Sequence, residues 1–260
     1  SPKGGTVYQV WKTATDKDAV TASPQDAIGG VKREPTVQTK QDVPVGDLGS
    51  GSDYTVFLQH LGIPSTDVSS TGSYGVYHSA FDNFAWFKKF ADPDFSYEQQ
   101  MARVYGLEIL RMSNLDVLPY DYESYGKEIG AYISAARAKA QKRWAGQSPK
   151  FDDAVEAAKA FQEAGAKIAE KQRKTNGDTK RLNATLRDAE RALLLPQGLP
   201  NRPWYHHAIY APGQYTGYAA VVIPGVNEAI DKGDLSKTSE QIDALATALS
   251  RAAKTLENYR

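Results

Sequence analysis

Hydrophobic side chains in the second half of the chain recur at the spacing of an amphipathic helix. From residue 96 onward, apolar residues stand three or four positions apart, which places them along one face of a helix. Five such stripes cover residues 97–110, 122–144, 151–168, 182–193 and 242–259. Helices with one apolar face and short connections pack as antiparallel bundles. The pattern therefore predicts a mainly α fold with an antiparallel helical bundle.

Two of the predicted helices carry a sequence signal for their first turn. Ser96 is followed by Gln99, and Thr238 is followed by Gln241. Each pair fits the capping box, in which two side chains bond to the free backbone amides at a helix start. We therefore expect Ser96 and Thr238 to cap the helices that follow them.

The first 91 residues have a different character. Residues 21–47 are rich in turn-forming residues and predict a loop. Ser52 and Asp53 precede a short predicted helix at residues 54–58, which Gly62 closes. Long helices begin only after residue 91. The sequence therefore predicts one domain at residues 1–91 and a helical domain at residues 92–260.

An aromatic-rich stretch at residues 199–224 interrupts the helical pattern. Long irregular segments inside a compact domain are uncommon and are often functional, so this stretch is a candidate for lining a site. Rings that only cover the end of the bundle would explain the same composition, and the residues alone leave both interpretations open. The rings belong to Trp204, Tyr205, Tyr210, Tyr215 and Tyr218.

Composition excludes several classes of function. Lys and Arg number 31 and Asp and Glu number 31, so the formal net charge is zero and no basic nucleic-acid surface is expected. No run of about 18 apolar residues is present that would predict a membrane segment. The chain has no Cys, which excludes disulfides, Cys–zinc sites and a Cys nucleophile. No two of the four His residues have the i, i+4 spacing of a helical zinc site.

Two groups of short motifs resemble one known family. The first group consists of LGSGSDYTVF at residues 48–57, LGIP at 61–64 and YHSAFD at 77–82. The second consists of GLPNRPWY at residues 198–205, IYAP at 209–212 and PG at 224–225. The order of these motifs, their spacing and the helical stretch between the two groups resemble the C-terminal part of glutamate carboxypeptidase II and of its relative, the transferrin receptor. The resemblance covers residues 48–260.

The resemblance implies an architecture and partners. In that family a protease domain with a central mixed sheet binds two zinc ions, and a helical C-terminal domain mediates homodimerisation. Residues 1–91 would then contain a small α/β remnant of a zinc-peptidase domain. Residues 92–260 would form the dimerisation domain, with residues 199–224 lining the site. The implied partners are a second copy of the chain and a peptide substrate. The implied location is extracytoplasmic, because family members are commonly exported or anchored through an upstream segment.

The resemblance also assigns candidate site residues. His78 matches a zinc ligand, and Tyr77 matches the tyrosine that helps to hold the tetrahedral intermediate beside the zinc. These roles suit the chemistry, since a neutral imidazole binds zinc and a phenol can donate to an oxyanion. Tyr218 matches a tyrosine in the pocket for the C-terminal residue of the substrate. The loop that lines the substrate channel matches Ser50, Gly51 and Ser52.

The sequence departs from the family in two respects. The other zinc ligands and the general-base Glu of the family precede the matched stretch, so this chain alone is expected to be inactive. Gly217 stands where the family has a Lys that pairs with the terminal carboxylate of the substrate, and residues 65–76 contain no Arg or Lys. Strict selection of a C-terminal glutamate is therefore not expected, unless another cation such as Arg202 reaches that carboxylate.

Two functions from different classes remain. The first is the C-terminal fragment of a zinc metallopeptidase, which provides homodimerisation and part of the substrate pocket. The alternative is a non-catalytic, transferrin receptor-like module for assembly and protein binding. The adjacent Tyr77 and His78 favour the first, because a relative without catalysis has no need to keep both. The two motif groups argue against a third interpretation, a free-standing helical domain.

Overall fold

The computed structural model describes residues 1–2, 4–17, 45–70, 72, 74–174 and 179–259. This part of the chain is mainly helical, which confirms the predicted fold class. Short helical turns span Val56–His60, Phe84–Trp86, Phe87–Ala91 and Ala145–Gln147, the first and third being π-helical. The loop predicted at residues 21–47 lies outside the described residues, apart from residues 45–47. The longer helices are α1 Val7–Lys17, α2 Ser96–Asn114, α3 Tyr122–Trp144, α4 Asp152–Lys174, α5 Thr179–Arg191, α6 Pro224–Lys232 and α7 Leu235–Glu257.

The chain divides into two compact units. Among the described residues, the first unit comprises 1–17, 45 and 68–115, and the second comprises 46–67 and 116–259. The first contains α1 and α2, and the second contains α3 to α7. This division does not test the predicted domain boundary at residue 91, because the units are defined by contacts within this chain and not by comparison with the family. The boundary and the peptidase remnant before it stay predictions.

The core of the second unit lies between α3, α4, α5 and α7. Helix α4 packs against both α3 and α7, and α5 packs against α7. Four of the five stripes predicted from the sequence form this core: Ile129, Phe161, Leu186 and Leu249 have no exposed surface. Burial contributes about 25 cal/mol for each Å² of apolar surface removed from water. Tertiary packing, more than helix propensity, therefore stabilises these helices.

Helix α2 forms where the first stripe predicts a helix, but none of its residues is buried. Leu107, Ile109 and Leu110 each expose half of their surface or more. Asp92 is the one buried residue among those described in the first unit. The stripe at residues 97–110 therefore does not contribute to a buried core within the described chain.

Aspartates cap α2 and α7 in place of the predicted capping boxes. The carboxylate of Asp92 accepts hydrogen bonds of 3.0 and 2.9 Å from two backbone N–H groups in the first turn of α2. The carboxylate of Asp234 accepts one of 2.8 Å in the first turn of α7. Helix α7 begins at Leu235, so Thr238 lies inside it. Both predicted capping boxes are therefore wrong, and carboxylates that also suit the positive end of the helix dipole replace them.

The stretch at residues 199–224 contains a β-hairpin. Strands β1 Tyr210–Pro212 and β2 Ala220–Val222 pair antiparallel, with Ala211 opposite Val221. Helix α6 follows almost directly after β2. The sequence pattern predicts neither the hairpin nor α6, because strands of three residues are too short to show an alternating pattern. The hairpin places Tyr218 in the loop between its strands.

None of the described helices is both long enough and apolar enough to cross a membrane.

Candidate functional site

Tyr77 and His78 lie together in a tight turn of the first unit. The backbone N–H of Ser79 donates to the carbonyl of Val76 at 3.0 Å and closes the turn. The two rings stack with their centroids 3.9 Å apart, and both residues are exposed. His78 has a φ of 61°, in the left-handed region that residues other than glycine seldom adopt. Such strain occurs preferentially at functional sites, so the turn is a candidate.

His78 is a candidate metal ligand without a completed site around it. The described part of the chain contains no group of three or more His, Cys, Asp or Glu side chains that could hold a metal ion. A catalytic zinc is held by three protein ligands and keeps one position open. The residues present therefore do not fit a zinc centre by themselves, and zinc stays a prediction for the complete protein.

A loop at residues 49–52, which we call the glycine loop, packs directly on Tyr218 in the second unit. The backbone N–H of Ser50 donates to the carbonyl of Tyr218 at 2.8 Å. A Cβ at Gly49 would overlap that carbonyl, and a Cβ at Gly51 would lie 2.9 Å from Cγ of Tyr218. Gly51 also has a φ of 105°, which strains any residue with a side chain. The loop can therefore contact Tyr218 only because glycines occupy these positions.

A buried glutamine fixes the glycine loop. Gln59 has no exposed surface, and its side-chain Nε2 donates to the carbonyls of Gly49 and, at 3.3 Å, Leu48. Its backbone carbonyl accepts hydrogen bonds of 2.8 and 3.1 Å from the N–H groups of His206 and His207. The sequence does not point to Gln59, because its partners are backbone groups that almost any residue supplies.

His207 forms a buried polar pair with Glu190. Its Nε2 lies 2.9 Å from a carboxylate oxygen of Glu190, and its Nδ1 accepts from the backbone N–H groups of Ile209 and Tyr210 at 3.2 and 3.1 Å. Because Nδ1 accepts, the ring proton is on Nε2 and is donated to Glu190. Both ring nitrogens are thus used within the fold, and His207 fixes the start of β1.

Several tyrosine hydroxyls lie buried around this pair. Burial raises the pKa of Tyr122, Tyr125, Tyr132 and Tyr210 above the ordinary tyrosine value. The negative charge of Glu190 raises the pKa of Tyr122 and Tyr125 further. The hydroxyl of Tyr132 donates to Asp47 at 2.7 Å. These phenols therefore keep their protons, and those of Tyr122 and Tyr132 donate hydrogen bonds, to the carbonyl of Leu186 and to Asp47.

The rings of residues 199–224 have different surroundings. Tyr205 and Tyr210 pack against the hydrophobic core and so cover the bundle. Tyr218 instead contacts the glycine loop, and the lining of a site by this stretch stays a prediction. Trp204 stacks on His60 with ring centroids 4.9 Å apart.

Arg202 is already paired within the fold. Its guanidinium donates to Glu228 at 2.8 Å and to the carbonyl of Pro212 at 2.6 Å. The Arg202 and Glu228 side chains are only 13% and 15% exposed, so water screens the pair weakly. Arg202 is therefore not a free cation for a substrate carboxylate. Gly217 has a φ of 63°, and a Cβ there would meet no atom within 4 Å.

The candidate residues form two groups. Tyr77 and His78 belong to the first unit. The second unit brings Ser50 and Gly51 against Tyr218, with Ser52 exposed at the end of the glycine loop. Each group is defined within its own unit, and their assignment to one active site stays a prediction.

Known proteins match this chain over most of its length. A probable glutamate carboxypeptidase of Arabidopsis thaliana is 34% identical over 212 residues, covering 81% of this chain and 30% of the relative. A probable glutamate carboxypeptidase of Arthroderma benhamiae is 34% identical over 224 residues, covering 82% and 31%. An aminopeptidase of Mus musculus is 32% identical over 235 residues, again covering 82% and 31%. The chain thus spans less than a third of the length of these curated relatives.

A family model agrees with these relatives and with the fold. The model of the transferrin receptor-like dimerisation domain matches residues 138–257. That range contains α4 to α7 and the hairpin that carries Tyr218. Three findings indicate the same family: the motifs at residues 48–82 and 198–225, the helical fold, and the matched relatives. The chain belongs to the glutamate carboxypeptidase II and transferrin receptor-like family, and it corresponds to the C-terminal part of the family's members.

Proposed function

We propose that this chain is the C-terminal part of a glutamate carboxypeptidase-like zinc metallopeptidase. It would provide homodimerisation through residues 138–257 and part of the substrate pocket through the glycine loop and Tyr218. The packing of Gly51 on the ring of Tyr218 carries the proposal, because segments distant in sequence meet there to form one wall. The names of the matched relatives, which are carboxypeptidases and an aminopeptidase, support hydrolysis of a terminal peptide bond.

Tyr77 and His78 would serve the chemistry of the complete protein. The phenol of Tyr77 would donate to the oxyanion that develops when a peptide carbonyl is attacked. His78 would be one imidazole ligand of the zinc. The remaining ligands and the general base would come from the part of the polypeptide that the relatives have in addition. The exposure of both rings supports these roles, because groups that act on a substrate must be accessible to it.

The test compares this chain with the complete protein. We expect the complete protein to contain zinc and to release the terminal residue of N-acylated dipeptides, and this chain alone to do neither. In the complete protein, His78→Ala should abolish turnover and lower the zinc content. Tyr77→Phe should keep the zinc and lower kcat by about 100-fold, the usual effect of losing one oxyanion donor.

A matched histidine variant separates these effects from general damage. The Nδ1 of His60 bonds to the carbonyl of Trp204 at 2.7 Å, and His60 has no assigned role in the site. His60→Ala should leave zinc content and kcat unchanged. Turnover that survives His78→Ala, or a complete protein without peptidase activity, would contradict the proposal.

A non-catalytic module for assembly is the second candidate. The match of residues 138–257 to a dimerisation domain favours it, since that match does not depend on Tyr77 or His78. It predicts a complete protein that forms dimers but hydrolyses none of the dipeptides. Measuring the oligomeric state and turnover of the same preparation separates the two candidates.

We further propose that the complete protein works outside the cytoplasm. The support is the family resemblance, because the members it resembles are commonly exported or anchored through an upstream segment. Fractionation of cells that express the tagged complete protein provides the test. Recovery of the protein in the cytosolic fraction alone would contradict this location.

A further inference from the structure

The side chain of Gln59 ties down the backbone of the glycine loop. Its Nε2 carries two protons, and they are directed at two consecutive carbonyls, those of Leu48 and Gly49. Gly49 is itself buried, so its carbonyl has little access to water. An unpaired carbonyl at such a place would be destabilising. The loop therefore depends on this amide for its conformation.

The backbone of Gln59 makes the second half of the connection. Its carbonyl accepts from the N–H groups of His206 and His207, which lead into β1. His207 is held in turn by Glu190 at 2.9 Å. Strand β1 pairs with β2, and the loop between these strands carries Tyr218. One residue thus joins the glycine loop to the hairpin against which that loop packs.

The remaining polar atom of the amide indicates why a glutamine is present. Within the described part of the chain, Oε1 of Gln59 is buried and has no hydrogen-bond partner. A buried unpaired acceptor is destabilising, and an apolar side chain of the same size would avoid it. The amide therefore carries a local loss of stability that an apolar side chain would avoid, and it supplies two hydrogen bonds to the glycine loop that an apolar side chain could not.

We infer that Gln59 is a positioning residue for substrate binding. It holds the glycine loop against Tyr218, so that this wall of the pocket is formed before the peptide arrives. Without the amide, the loop has several arrangements, and substrate binding must select one of them. This inference rests on the proposed function, because the glycine loop and Tyr218 must line the substrate pocket for it to hold.

The chain offers a matched control for the test. The Nε2 of Gln172 on α4 also donates to two backbone carbonyls, those of Leu118 and Tyr120, at 2.8 and 3.1 Å. Gln59→Met and Gln172→Met remove the same amide and keep nearly the same side-chain length. In the complete peptidase, Gln59→Met should raise KM about tenfold and change kcat less than twofold, while Gln172→Met leaves KM unchanged. Both variants should lower the midpoint of thermal unfolding. Because only Gln59→Met is expected to raise KM, lost stability alone would not explain that rise.

The outcomes separate failure of this inference from failure of the proposed function. If the unmodified complete protein has no peptidase activity, the proposed function fails and the inference fails with it. If it is active and Gln59→Met keeps the original KM, or changes KM no more than Gln172→Met does, only the inference is overturned. Should Gln59→Met not fold, Gln59→Asn takes its place. That variant keeps the amide one methylene short of both carbonyls and should also raise KM.

Discussion

At the scale of single residues, the wall of the proposed pocket depends on positions without a side chain. Gly49 and Gly51 allow the backbone to lie against Tyr218, and Gly217 leaves open space one residue before it. Gly51 and Gly217 also have φ values of 105° and 63°. A side chain at Gly51 has no space, whereas a side chain at Gly217 has space but a strained backbone. The two glycines therefore lead to different predictions.

Gly51→Ala should destabilise the chain, because the added methyl group would lie 2.9 Å from the ring of Tyr218 on a strained backbone. We expect the free energy of unfolding in urea to fall by about 1–3 kcal/mol. Gly130→Ala on α3 is the control, since a Cβ there meets no atom within 4 Å and Ala is the better helix former. Equal effects of the two substitutions would show that the contact with Tyr218 is not tight.

Gly217→Lys should increase the preference of the complete protein for substrates with a free terminal carboxylate. It returns a cation to the position where the family has lysine, and Arg202 cannot substitute because Glu228 and Pro212 hold it. A charge-assisted hydrogen bond contributes about 1.5–3 kcal/mol, so kcat/KM for a free terminal carboxylate over its amide should rise at least tenfold. Gly217→Gln imposes the same backbone strain without the charge and should leave that ratio unchanged. A matching rise with Gln would exclude the charge as the cause.

At the scale of elements, periodicity predicts helices, and long-range contacts determine the rest. The stripes at residues 122–144, 151–168 and 182–193 correspond to α3, α4 and α5, because burial on one face repeats with the helical period. The hairpin and α6 lack such a repeat. The link from Gln59 to Gly49 and the packing of Gly51 on Tyr218 were also beyond prediction, since a contact between distant backbone segments leaves no local pattern. The resemblance predicted the candidate residues, but not the glutamine that holds their loop.

Tyr125 and Tyr132 of α3 and Tyr210 of β1 form a tyrosine cluster. This cluster predicts unequal effects of two similar substitutions. The hydroxyl of Tyr125 is buried and has no hydrogen-bond partner in the described part of the chain, whereas that of Tyr132 donates to Asp47 at 2.7 Å. Tyr125→Phe should therefore leave stability unchanged or raise it at pH 7. Tyr132→Phe should lower the free energy of unfolding by about 1.5–3 kcal/mol, because it removes a hydrogen bond to a charged group. Urea unfolding of both variants provides the measurement, and a larger loss for Tyr125→Phe would contradict the assignment.

The same cluster predicts loss of stability in alkali. Burial raises the pKa of Tyr125 well above its ordinary value, so the folded state keeps a proton that the unfolded chain releases near pH 10. The stabilisation is complete below that pH and is lost above it, by about 1.4 kcal/mol per pH unit for each such tyrosine. Tyr125→Phe should reduce the slope of stability against pH above 10 by that amount. An unchanged slope would show that Tyr125 ionises in the folded state.

At the scale of the whole molecule, the helical part of the chain has an apolar residue that its own helices leave uncovered. Residues 138–257 match a dimerisation domain, and α4 lies between α3 and α7 within the second unit. Val155 of α4 belongs to the apolar stripe predicted at residues 151–168 but remains 39% exposed, whereas Ala158 and Phe161 of that stripe are buried. Covering this side chain with a second copy would remove its remaining apolar surface from water.

We expect this chain to form a dimer in which Val155 is covered. Two-fold pairing is the commonest closed symmetry, and stable homodimers commonly bury about 2,000 Å² or more. Val155→Asp places a charge in that contact and should raise the dimer dissociation constant at least tenfold in sedimentation over a concentration series. Ala160→Asp adds the same charge at an exposed position of α4 about 140° around the helix, and should leave the constant within about twofold. A chain that stays monomeric at every concentration would contradict self-association, and equal effects of the two substitutions would place the interface elsewhere.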